Sequence, residues 1–131
     1  MTLQEIHEYL LSFPETWLDF PFGQEVSVYK IGHTENGKGK MFALIAENSK
    51  PVRISLKCDP LLAEKLRETY ETILPGYHLN KKNWNTIIVT GQVPDDEIKD
   101  LILAQHEKES ARLQTIIVEK ATNTPTPLGQ S

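Results

Sequence analysis

Apolar positions change their period several times along this chain, and each change marks an element. Leu3, Ile6, Leu10 and Phe13 recur at helical spacing behind Thr2 and Glu5, a pair that can cap a helix start reciprocally. Pro14 stops that helix. Residues 15–24 hold Trp17, Phe20 and Phe22 around Pro21 and Gly23, and read as an aromatic loop laid on the core. A β-branched and aromatic run at 26–31 predicts a strand, and residues 41–46 predict the strand that returns. Between them Asn36-Gly37 supplies the positive φ angles of a hairpin turn. Val52, Ile54 and Leu56 alternate with Arg53, Ser55 and Lys57, which predicts a half-buried strand with a basic outer face.

The period then returns to that of a helix. Asp59-Pro60 is a strong helix start, and Leu62, Leu66, Tyr70 and Ile73 form its expected buried stripe. Pro75-Gly76 ends it. Residues 77–80 read as a short strand and 84–90 as a longer one. Asp95, Asp96 and Glu97 open a third helix, where negative charge complements the dipole, and Ile98, Leu101 and Ile102 anchor it. Residues 105–112 are polar enough that the helix is expected to project or fray there, whereas 113–118 are apolar again. The predicted fold is α+β: an antiparallel sheet of about five strands flanked by three helices, in the order α-β-β-β-α-β-β-α. One domain is expected over residues 1–120, with a disordered Thr- and Pro-rich tail over 121–131.

Composition narrows the chemistry. With 131 residues, 39% hydrophobic and 24% charged, the chain can bury one core without a metal or disulfide staple. Its single cysteine, Cys58, forms no internal disulfide, and no apolar run reaches membrane-spanning length, so a cytoplasmic protein with no membrane partner is expected. The net charge of -4 is unevenly spread: residues 1–29 hold five acids and no Lys or Arg, while 30–57 hold six cations against two acids. Such alternation argues against general nucleic-acid coating but allows one basic face.

No catalytic constellation stands out. Cys58 has no neighbouring histidine, and the four histidines show no ligand spacing, so no metal, cofactor or enzymatic activity is expected. Gly37-Lys38-Gly39-Lys40 lacks the frame of a phosphate loop and precedes a strand, so it reads as a hairpin tip. Denser chemistry lies in Pro75-Gly76-Tyr77-His78-Leu79-Asn80-Lys81-Lys82-Asn83-Trp84, which combines aromatics, amides, an imidazole and two ammoniums without an acid. Its groups suit phosphates and base edges. On residue chemistry alone they suit a structural reading better, in which Trp84 is core, His78 and Asn80 cap turns, and the lysines are solvated.

That stretch resembles the signature of the MmcQ/YjbR family of small bacterial proteins. Phe20-Pro21-Phe22-Gly23, Lys40-Met41-Phe42-Ala43, Ile54-Ser55-Leu56-Lys57, Pro60, Leu66-Arg67, Tyr70 and Thr86 follow the family pattern in order. Asn83 stands where histidine is frequent, and Gln105-His106 where Ser-Tyr is common. The resemblance implies a frataxin-like or secretion-chaperone-like α+β fold. It also implies a nonenzymatic role in binding double-stranded DNA through two wing-like hairpins. On that expectation Lys38, Lys40, Arg53, Lys57, Lys81 and Lys82 contact phosphates, while His78 and Asn80 read a base or orient the backbone. The alternatives are an adaptor that binds a protein partner through the sheet face or residues 113–118, and a small-ligand pocket near Tyr77, His78 and Trp84.

Overall fold

The first helix, α1 (Leu3–Leu11), begins with the expected capping box: Thr2 accepts from the Glu5 amide at 3.1 Å and Glu5 answers to the Thr2 amide at 3.2 Å. The computed structural model describes residues 1–32, 39–76 and 79–123, the last eleven of them (113–123) by backbone alone. Six strands follow in chain order: β1 (Thr16–Asp19), β2 (Val26–Ile31), β3 (Lys40–Ala46), β4 (Arg53–Lys57), β5 (Ile73–Pro75) and β6 (Trp84–Ile88). Helix α2 (Pro60–Thr69) separates β4 from β5, and α3 (Asp95–Asn123) closes the described chain. The strands form one antiparallel sheet in the order β1-β2-β3-β4-β6-β5.

All three helices pack on one face. Ile6 and Leu10 of α1, Leu66 of α2, and Ile98 and Ile102 of α3 join Tyr29, Ile31, Ile45, Ile54, Leu56 and Ile87 of the sheet in one core. Registers such as Ile45↔Ile54 and Ile54↔Ile87 put these side chains opposite one another, so the period-two pattern becomes a continuous apolar layer.

Several expectations need correction. Residues 16–19 form an edge strand rather than part of a loop, adding a sixth strand to the five expected. The flanking Pro14 and Pro21 hid a short run that is held by tertiary contacts. Trp17 Nε1 donates to Gly32 O at 2.9 Å, Lys30 Nζ reaches Asp19 Oδ2 at 2.7 Å, and the same ammonium lies 5.3 Å from the Trp17 ring centre. Helix α2 ends at Thr69, so Ile73 belongs to β5. Its buried residues are Ala63 and Leu66, and Leu62 is 41% exposed: Leu66 faces inward as expected, and Ala63, at the i-3 position, takes the inward place expected of Leu62. Of the expected strand at 77–80, Tyr77 and His78 lie outside the described residues, and Leu79 and Asn80 are not in a strand.

The largest correction concerns α3. It runs unbroken through the polar stretch where fraying was expected, and Gln105, His106 and Glu109 are buried on it. Each finds a polar partner. Gln105 Nε2 donates to Glu109 Oε1 at 3.2 Å, His106 Nε2 lies 3.1 Å from Pro14 O, and Lys57 Nζ sits 3.2 Å from Glu109 Oε1. His106 also stacks on Phe13, with ring centres 4.7 Å apart. Polar side chains bury at low cost when their hydrogen bonds are made.

Candidate functional site: the open face of the sheet

Opposite the helices the sheet is only partly covered. Strand alternation turns Val26 and Val28 of β2, Leu44 and Ala46 of β3, Arg53 and Ser55 of β4, and Trp84 and Thr86 of β6 to this side. Part of the signature segment folds back here. Leu79 packs on a second apolar cluster of Val28, Leu44 and Trp84, and Trp84 is only 6% exposed. Gly76 makes this return possible: its amide donates to Trp84 O at 2.9 Å, and a Cβ on it would stand 2.7 Å from the Trp84 Cβ. Trp84 is therefore core, as the structural reading of the segment had it.

What stays open is a groove of about 430 Å³ lined by Phe22, Val26, Leu44, Ala46, Arg53, Ser55, Leu79 and Thr86. Its volume lies within the roughly 300–1,000 Å³ typical of small-molecule sites. Phe22, 62% exposed, forms one wall. On the floor Ser55 Oγ and Thr86 Oγ1 share a hydrogen bond of 2.8 Å. One hydroxyl proton fills that bond, which leaves the other free to donate outward. Among the described residues Arg53 is the single charged one that lines the groove, and it makes no ion pair with any of them.

Of the expected DNA contacts, the strand registers set Lys57, Lys40 and the loop that precedes Trp84 toward one end of the sheet, and Arg53 at the opposite end of β4. Lys40, Arg53, Asn80, Lys81 and Lys82 are exposed. Asn80 Oδ1 accepts from the Lys82 amide at 3.0 Å, and so shapes the turn, as the capping alternative supposed. Arg67 braces the same loop, donating to Lys81 O at 3.1 Å and to Asn85 Oδ1 at 2.7 Å. Lys57, expected on a basic outer face, instead has its ammonium against the buried Glu109. Lys38, His78 and the turn at 33–38 lie outside the described residues. Sequence reasoning missed the groove because its lining comes from four strands and two loops, each contributing one or two ordinary residues. The alternation of Arg53 and Ser55 with Ile54 and Leu56 on β4 was the one visible signal.

Nucleophiles on the helical side are poorly placed for chemistry. Burial, reinforced by the neighbouring Asp59 carboxylate, pushes the Cys58 thiol pKa up, so the reactive thiolate is scarce at neutral pH. Ser27 is fully buried and donates to Glu47, the same carboxylate that His7 Nε2 meets at 3.1 Å, so hydroxyl and imidazole share an acid rather than each other. Among the described residues no cluster of three His, Cys, Asp or Glu could hold a metal, and no helix is long and apolar enough to cross a membrane.

A six-stranded antiparallel sheet with three helices on one face and a partly covered groove on the other defines a one-sided α+β domain. The chain belongs to the YjbR family, whose model matches residues 11–108. It is 36% identical over 106 residues to the uncharacterised protein YbdF of Escherichia coli O157:H7, covering 78% of this chain and 82% of that one. Identity to the uncharacterised protein YjbR of Escherichia coli K12 is 32% over 110 residues, or 82% and 86% of the two chains. Among solved structures, Deinococcus radiodurans protein DR2400 superposes with a TM-score of 0.81 at 32% identity, over 99% of this chain and 94% of that one. A Pseudomonas syringae protein superposes at 0.63 with 30% identity, over 80% and 96%.

Proposed function

We propose that this protein is a nonenzymatic binding module that receives an apolar guest in the groove on the open sheet face. The observation that carries the reading is the groove itself: about 430 Å³ of largely apolar space beside a packed tryptophan, on the face the helices leave bare. Transfer of apolar surface out of water supplies the driving force. The proposal is nonenzymatic because the nucleophiles described above are buried or unactivated.

A neutral dye that brightens in apolar surroundings tests it. Ala46→Phe, which fills the groove from its floor, should abolish dye binding while leaving the thermal midpoint within a few degrees. Unchanged dye binding in that variant would overturn the reading.

Duplex DNA is the second reading, favoured by one observation: Lys81 and Lys82 are exposed side by side, with no ion pair among the described residues. Of the cations expected to contact phosphates, Lys57 is held by Glu109, and those that remain among the described residues are Lys40, Arg53, Lys81 and Lys82. About four phosphate contacts predict a slope of log affinity against log salt near -3 to -4. Fluorescence anisotropy with duplex DNA at about 50 mM salt measures it. An isotherm that stays flat there removes the DNA reading and leaves the groove proposal intact.

A further inference from the structure

We infer that the groove's guest is a carboxylate-bearing amphiphile, a medium-chain fatty acid or an acid of similar size and shape. Its head would meet Arg53 and the Ser55–Thr86 hydroxyl pair, and its tail would lie over Val26, Leu44 and Ala46. The inference rests on the groove reading above and adds the chemistry of the head. Arg53 and Ser55 are two residues apart on one strand, hence on one face and roughly 7 Å apart. Thr86 pairs directly across from Ser55, so guanidinium and hydroxyls converge on one region of the groove. The rest of the lining is apolar.

Charge balance selects the head group. A single guanidinium neutralises a single negative charge, and its planar fork matches a carboxylate with two parallel hydrogen bonds. A phosphate monoester carries roughly -1.5 to -2 at neutral pH, and among the described residues the groove's lining holds no second cation for it. An alcohol or an alkane would leave the guanidinium without an ionic partner. The free proton of the Ser55–Thr86 pair supplies a further donor, which a carboxylate oxygen accepts.

The test is competition for the neutral dye on the full chain, with decanoate, decanol and decyl phosphate each held below its micelle concentration. Decanoate should displace the dye about tenfold more tightly than decanol, and more tightly than decyl phosphate. Arg53→Gln should reduce the decanoate advantage over decanol to about twofold while leaving the thermal midpoint unchanged. Equal displacement by decanoate and decanol in the parent overturns the carboxylate. So does an advantage that survives in Arg53→Gln, or tighter binding of the phosphate. Displacement of the dye by an apolar peptide, with none by any of the three amphiphiles, overturns the small guest in favour of a protein segment. Failure of the dye to bind at all, or its indifference to Ala46→Phe, overturns the groove reading itself, so the two failures are distinguishable.

Discussion

Arg53 and Lys57 stand on the same strand with the same alternation, yet their surroundings separate them. Arg53 is exposed at the groove, whereas Lys57 Nζ lies 3.2 Å from Glu109, whose side chain is 2% exposed. Removing one partner of a buried pair costs roughly 3–5 kcal/mol when it leaves the charge uncompensated; here the lysine is 20% exposed and Arg112 Nη1 still lies 3.4 Å from the same Glu109 oxygen, and both offset part of that. Lys57→Ala should therefore destabilise the protein by about 2 kcal/mol in urea unfolding. Arg53→Ala should change stability by no more than about 0.5 kcal/mol. Equal, small effects would show that Lys57 is only a solvated lysine.

A second residue-level consequence follows from Asp19. Its hydrogen bond from Lys30 lowers its pKa below the usual 3.8. A depressed acid stabilises the fold above its unfolded value, and the contribution is lost as pH falls through the folded one. The stability gap between the parent and Asp19→Asn should stay constant at neutral pH and shrink below about pH 3.8. A gap that widens on acidification would contradict this pairing.

Among the elements, the connection from β5 to β6 carries the most constraint. It places the amide of Gly76 on Trp84 O and the side chain of Leu79 over the second apolar cluster. The space at Gly76 is closed by the Cβ and carbonyl of Trp84 and by Leu79. Gly76→Ala should cost about 1–3 kcal/mol, the usual size of an overpacked site. It should also shift the Trp84 emission, since the ring sits under the displaced loop. An unchanged midpoint and spectrum would mean that the loop yields without strain. Helix α3 shows the complementary case: three buried polar side chains keep it regular because each reaches a partner on another segment or on the next turn.

For the whole molecule, the sheet's one-sidedness is decisive. Three helices cover one face and leave the other to two loops, so binding of the proposed guest would be linked to fold stability through a surface formed only in the folded chain. A guest at about one hundred times its dissociation constant should stabilise the protein by roughly 2.7 kcal/mol. Differential scanning calorimetry with saturating decanoate should accordingly show a midpoint several degrees higher, and decanol at the same concentration a smaller rise. A midpoint insensitive to both would place their binding, if any, outside the native fold.

The sequence by itself determined which segments are helices and strands wherever periodicity was long or a cap was explicit. The Thr2–Glu5 box, Asp59-Pro60, the Ile54–Leu56 alternation and the acidic start of α3 are local signals, and local backbone chemistry is enough to read them. The family resemblance was legible too, because the signature is contiguous. Tertiary structure decided everything that depends on partners distant in the chain. It made Thr16–Asp19 a strand by pairing it with β2, buried Glu109 by bringing Lys57 to it, and assembled the groove from strands that meet only in the sheet. A charged side chain's burial depends on whether a countercharge arrives, and a groove on which faces the helices leave uncovered; neither quantity is written in any one segment of the chain.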